Sequence, residues 1–166
     1  MDFINSQVSL YPDLAEEYAT LGELHEKKLW HQLSLSLETF LSNGRNIRGN
    51  NAQQLYDGFV RSFEARLNQV KLAGLVTLVS KTLNDANALD FINTVLAARK
   101  RLGVEASMCL DMDVVTIKLR LGDVEAAKGL LESAKEQLSS IKPSESVIFS
   151  KYYKAQTEYR KVVGPA

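Results

Sequence analysis

A chain of 166 residues with 45% hydrophobic side chains has enough apolar surface for one folded core and is too rich in it to remain disordered. Its 20 basic and 20 acidic side chains cancel, which excludes the broad cationic field of a general nucleic-acid binder. The lone cysteine, Cys109, excludes an intrachain disulfide and a multi-cysteine metal site. The cancellation is uneven: positions 1–42 carry seven acids against two bases, 43–103 nine bases against four acids, and the remainder nine of each. The opening Met-Asp-Phe-Ile-Asn-Ser-Gln lacks the basic patch and apolar run of a secretory signal, and no apolar stretch approaches the roughly 20 residues of a membrane helix. A soluble, intracellular chain is expected.

Helical periodicity runs through the sequence. Leu14, Tyr18, Leu21 and Leu24 form a first stripe, with Pro12 where a helix start needs no N–H. Trp30, Leu33, Leu37 and Phe40 recur at steps of three, four and three and predict a second helix. The turn-forming run from Ser42 to Asn51 reads as a loop and the most flexible point. Leu55, Phe59, Phe63 and Leu67 predict a third helix, and Leu72, Leu75, Val76, Val79 and Leu83 a fourth. Asn84 or Asp85 caps a fifth, which passes through Leu89, Ile92, Leu96 and Leu102 to stop at Gly103. Met108, Met112, Val115 and Leu119 share one face of a sixth, ended by Gly122 as C-cap before Asp123 as the next N-cap. Ala127, Leu131, Ala134 and Leu138 mark the seventh; after Pro143-Ser144, Ile148, Tyr152, Ala155 and Tyr159 mark the eighth.

About eight helices with short connections and no sustained two-residue alternation predict an all-α fold. Val124, Ala127, Leu131 and Ala134 repeat the register of Trp30, Leu33, Leu37 and Phe40, while Leu89, Ile92 and Leu96 follow it until Arg99. Gly122, Ala127, Leu131 and Ala134 also match the second helix of a tetratricopeptide repeat, although no strict 34-residue period is present and Ser139 replaces the usual proline. Antiparallel helical hairpins stacked as a tetratricopeptide-like α-solenoid are the predicted architecture.

The rare side chains do not assemble a reaction centre. His25 and His31 straddle a helix junction, and His25-Glu26-Lys27-Lys28-Leu29 lacks the second histidine of a zinc-binding helix, so partly buried structural histidines are expected. Asp111 and Asp113 point to nearly opposite sides of one helix and are expected in solvent near Lys118; Cys109 is expected as a small buried thiol. Gly44 and Gly49, with Arg45 and Arg48, have the outer spacing of a phosphate loop but lack its Lys-Ser/Thr and its preceding strand. Arg99, Lys100 and Arg101 form the densest basic cluster, suited to a helix C-terminus and a candidate partner contact. Tyr152, Tyr153 and Tyr159 are read as core and hairpin contacts. An enzyme would need His25 or Cys109 exposed beside a carboxylate, and a peptide-binding repeat module would need a concave groove with convergent polar groups. No catalytic residue, metal or cofactor is expected.

The segment from Leu24 to Leu41, above all Lys27-Lys28-Leu29-Trp30-His31-Gln32-Leu33, closely resembles the N-terminal part of the 26S proteasome non-ATPase regulatory subunit 13 family. Further matches keep family order at Leu55-Tyr56, Phe59, Phe63-Glu64, Asn68, Gly122-Asp123 and Ser150-Lys151-Tyr152-Tyr153. The resemblance implies a helical-repeat arm that precedes a winged-helix assembly module of the type shared by lid, signalosome and translation-initiation scaffolds. Positions 1–166 are accordingly expected to be the single N-terminal helical-repeat domain, with the winged helix absent. It further implies a non-catalytic scaffold of the regulatory-particle lid in ubiquitin-dependent degradation, in cytoplasm and nucleus. Its partners would be other lid subunits and a ubiquitin-receptor subunit; a related signalosome or translation-initiation scaffold is the alternative. Trp30, Leu33, Leu37, Phe40, Gly122 and Asp123 are its structural signature rather than a site.

Overall fold

A computed structural model describes residues 2–47, 51–98, 102–141 and 147–164; among them there is no strand. The chain divides into two compact units, Met1–Asn68 and Gln69–Ala166.

In the first unit α1 (Asp2–Leu10) and a 3-10 turn at Pro12–Leu14 lead into α2 (Ala15–Glu26) and α3 (Trp30–Ser42). The opening residues, for which the sequence predicts no helix, form one. It docks through Phe3, whose ring meets Phe59 edge-on at 5.4 Å and lies where a Cβ on Gly58 would sit, 2.8 Å away. A Cβ at position 58 would force that ring to shift. The third expected helix is irregular: α4 (Asn51–Leu55) opens into a π-helical turn at Tyr56–Val60, recloses as α5 (Arg61–Phe63) and tightens to a 3-10 turn at Glu64–Arg66. Gly58 lies inside the widened turn, where α1 needs the space. Leu14, Tyr18, Leu21, Leu33, Leu37, Phe40, Leu55, Phe59 and Phe63 are buried together, each stripe residue contributing roughly 1.5–3 kcal/mol.

The described part of the stretch expected as a loop, residues 42–47 and 51, is held by specific hydrogen bonds. A 3-10 turn occupies Gly44–Asn46, and Asn46 and Asn51 are both buried. Asn51 Nδ2 donates to the Asn46 carbonyl at 2.8 Å and to the Tyr18 hydroxyl at 3.3 Å; Asn46 Nδ2 donates to the Phe40 carbonyl at 3.2 Å. Tyr18 in turn donates to Gln7 Oε1 at 3.4 Å. Asn46 and Asn51, residue types that favour turns, here satisfy buried polar atoms and fasten the unit. Arg48, Gly49 and Asn50 lie outside the described residues.

The second unit contains α6 (Gln69–Thr82), α7 (Asp85–Ala98), α8 (Val104–Arg120), α9 (Val124–Leu138) and α10 (Val147–Val163). Packing follows chain order: α6 meets α7 and α8, and α8 meets α9 and α10. This is the hairpin-on-hairpin stacking expected of an α-solenoid, with α6, α8 and α10 as successive first helices. The sequence predicts one apolar face for the sixth helix, but α8 buries Ala106, Met108, Cys109, Leu110, Met112, Val114, Val115 and Ile117, which spread round most of it. A helix touched by four others has no solvent face to keep polar.

Both hairpins read from the shared register reverse through the same turn. At the end of α8 the Asp123 amide donates to the Lys118 carbonyl at 2.8 Å and the Gly122 amide to the Leu119 carbonyl at 3.2 Å, with Gly122 at φ +82°. At the end of α2 the Leu29 amide donates to the Leu24 carbonyl at 3.0 Å and the Lys28 amide to the His25 carbonyl at 3.1 Å, with Lys28 at φ +58°. These are Schellman caps, and the left-handed residue reverses the chain. Asp123 then caps α9, accepting from the Ala126 amide at 3.2 Å, whereas Leu29 at the equivalent place makes no side-chain cap. Lysine carries backbone strain there that glycine does not. Lys28→Gly is therefore expected to raise stability by about 0.5–1 kcal/mol and Gly122→Ala to lower it by about 1 kcal/mol in urea titrations. Equal midpoints for Lys28→Gly and the parent chain would remove the strain argument.

Candidate interaction surfaces

Two groups of polar and aromatic side chains stand out, one in each unit. In the first unit the α2–α3 turn carries an aromatic knuckle. Trp30, the first residue of α3, stacks on Phe63 with ring centroids 5.4 Å apart and planes 8° from parallel. The Arg66 guanidinium lies 5.7 Å from the Trp30 ring centroid, and Leu29 beside it is 40% exposed. Trp30 is thus packed on one face and partly open, the kind of side chain that anchors protein interfaces.

His25 closes the knuckle from α2. Its ring meets Trp30 at 5.6 Å and Phe59 at 5.8 Å, and its Nε2 lies 2.7 Å from Ser62 Oγ. Ser62 Oγ donates to the Phe59 carbonyl at 2.5 Å, an arrangement that suits the His25 tautomer whose Nε2 donates to Ser62. Burial lowers the His25 pKa from its ordinary value and favours the neutral ring. The contact braces α2 against the turn that carries Ser62. His31, expected to be partly buried, is exposed, because its position on α3 faces away from the Leu33, Leu37 and Phe40 stripe.

In the second unit α6, α8 and α10 converge on a polar cleft of about 160 Å³. Lys151 Nζ donates to Asp113 Oδ1 and Oδ2 at 3.3 and 3.2 Å and to Thr77 Oγ1 at 3.1 Å, while Thr77 donates to Asp113. One residue from each helix meets there, and the ion-paired side chains are 21–23% exposed. Beside it Thr116 donates to Glu158 at 2.8 Å, and Arg120 donates to Asp85 at 2.9 Å. Asp113 is therefore not the solvated carboxylate near Lys118 that was expected: α10 supplies Lys151, and α8 has no free face on that side. Lys118 instead pairs with Asp123 at 3.5 Å. Asp111 is half-buried, and burial raises its pKa. Cys109 is buried as expected, with its thiol pushed up to about 11 chiefly by that burial.

Tyr152 is buried, but Tyr153, expected in the core, is 59% exposed and meets Tyr152 edge-on at 5.6 Å. Tyr153 sits about 100° round α10 from Tyr152, off the stripe of Ile148, Tyr152 and Ala155 that the helix buries. Arg99, Lys100 and Arg101 lie outside the described residues. Among those described, no His, Cys, Asp or Glu cluster has metal-site geometry, and no helix is long and apolar enough to cross a membrane.

A sequence profile of the family described as PSD13 N-terminal repeats matches residues 17–166. The chain belongs to this family. It is 30% identical to 26S proteasome non-ATPase regulatory subunit 13 homolog B of Arabidopsis thaliana, a match that covers 98% of this chain and 43% of the relative. It is 24% identical to 26S proteasome non-ATPase regulatory subunit 13 of Dictyostelium discoideum, over 96% of this chain and 42% of the relative. The probable 26S proteasome regulatory subunit rpn9 of Schizosaccharomyces pombe is 28% identical over the same shares. The chain therefore spans under half the length of these relatives.

On the PSD13 repeats the most distinctive motif, Lys27 to Leu33, falls on the strained turn and the knuckle, and Gly122-Asp123 on the second reversal. Lys151 of the Ser150–Tyr153 match is the cation of the cleft. Thr77, Ser62 and Arg66 drew no attention in the sequence, since nothing in one chain signals a pairing across 36 or 37 positions.

Two predictions follow from these contacts. Asp113→Asn and Lys151→Met should each cost about 1–2 kcal/mol, and the double variant less than their sum, because the second change removes the charge stranded by the first. Additive losses in urea titrations would show that the two do not act as a pair. For His25, whose folded pKa is depressed, the stability it contributes is present above its unfolded value near 6.5 and is lost as pH falls through the folded value. Thermal melts of the parent chain should therefore lose more between pH 7 and pH 5 than those of His25→Gln; equal losses would assign the acid sensitivity elsewhere.

Proposed function

We propose that this chain is the helical-repeat arm of a non-catalytic scaffold subunit in the lid of the proteasome regulatory particle. The observation that carries this reading is the family match across residues 17–166, and the stacked hairpins of the second unit support it. Lid assembly, and through it ubiquitin-dependent protein degradation, is the role. Other lid subunits and a ubiquitin-receptor subunit are the partners, and cytoplasm and nucleus the compartments this requires. A non-catalytic role is supported by the burial of Cys109. Positions 1–166 act as one N-terminal domain, with the winged-helix assembly module contributed by the rest of the parent protein.

Trp30, Leu29 and Arg66 suit a partner contact because a packed aromatic with an adjacent guanidinium loses little entropy on docking. Arg99, Lys100 and Arg101 are proposed as a second contact, on charge alone. Tagged full-length protein should copurify with proteasome lid subunits, and its failure to do so would overturn the assignment. Reversal of all three charges to glutamate should reduce recovery of those subunits without lowering the melting midpoint; unchanged recovery would dismiss the cluster.

A further inference from the structure

We infer that the cleft between α6, α8 and α10 is a docking site for a carboxylate side chain, Asp or Glu, on an acidic segment of a partner protein. Four cations line it, Lys81, Arg120, Lys151 and Lys154. Lys151 is neutralised by Asp113 and Arg120 by Asp85, and Glu158 accepts from Thr116. Lys81 and Lys154 are exposed at the rim and have no ion-pair or hydrogen-bond partner among the described residues. Four positive charges thus face three carboxylates, an excess that suits a single monoanion. The inward Asp113 and Glu158 oppose a phosphate dianion more strongly than a carboxylate. The volume, about 160 Å³, compares with cavities that hold a benzene-sized group, enough for the head of an acidic side chain.

The ligand must arrive on a polypeptide. A solvent-exposed ammonium–carboxylate pair is worth under about 1 kcal/mol, too little to retain a free carboxylate, whereas several carboxylates on one segment raise the local concentration at the cleft and let one of them seat there. The inference rests on the scaffold reading only for which protein carries that segment.

Hexaglutamate, acetate and inorganic phosphate, each titrated into the 15N-labelled 166-residue chain, test it by amide shifts. Hexaglutamate should move the amides of Thr77, Lys81, Thr116 and Lys154. A Lys81→Glu/Lys154→Glu variant should weaken it by about tenfold, and Lys128→Glu/Lys135→Glu on α9 should not. Lys81→Gln/Lys154→Gln, which removes charge without reversing it, guards against misfolding and should weaken binding less than the reversal. Equal loss in the α9 variant, shifts centred elsewhere, or acetate or phosphate binding as tightly as the peptide would overturn the proposal. Peptide binding without lid copurification would sink the scaffold reading alone, and copurification without peptide binding the cleft alone.

Discussion

The α2–α3 and α8–α9 hairpins depend on a backbone constraint: in a Schellman cap the residue that reverses the chain turns left-handed. Gly122 meets that demand at little steric cost, and Lys28 meets it under strain. The six-to-one and five-to-two hydrogen bonds that close each cap use carbonyls the helix would otherwise leave unpaired. Once the reversal is set, the next helix must start at Trp30 or Val124. That start places Leu33, Leu37 and Phe40, or Ala127, Leu131 and Ala134, against the preceding helix. The three-four-three register is thus a consequence of the turn as much as of the apolar pattern.

This explains why the hairpins were legible in the sequence. Stripes at Leu14 to Leu24, Trp30 to Phe40 and Ala127 to Leu138 carry their own period, and Gly122-Asp123 announces a stop and a start. Three features were not legible for physical reasons. Helix α1 has a stripe too short to stand out, and its fit rests on space above Gly58, a tertiary fact. The Ser42 to Asn51 run has the composition of a loop, yet Asn46 and Asn51 point their amides inward. Composition cannot tell an amide that solvates a turn from one that satisfies a buried hydroxyl. Asp113 looked solvent-facing because its partner lies on another helix, 38 positions away.

The polar groups that escaped the sequence reading select one arrangement among many that apolar stripes allow. Apolar contact is nearly indifferent to small sliding of one helix along another; a lysine that must reach two carboxylate oxygens and a threonine is not. The Thr77, Asp113 and Lys151 set fixes the register of α6, α8 and α10, as Tyr18, Asn46 and Asn51 fix α2, the turn after α3, and α4. Their stabilising contribution is modest beside the apolar core. Their weight is in uniqueness, because each misregistered alternative strands a partly buried polar group.

That division bears on recognition by a chain whose charges sum to zero. With no long-range field, orientation beside a partner must come from patches read within about 8 Å, the screening length at physiological salt. A patch can discriminate at that range only if its charges are held still. Lys151 and Arg120 are held by Asp113 and Asp85, and their pairing leaves Lys81 and Lys154 at the rim of a defined cleft without a partner among the described residues. The knuckle follows the same logic without charge as the driver: Phe63 and Arg66 hold Trp30 in one orientation while part of its ring stays open. In both units the contacts that fix helix register also hold still the groups a partner would meet.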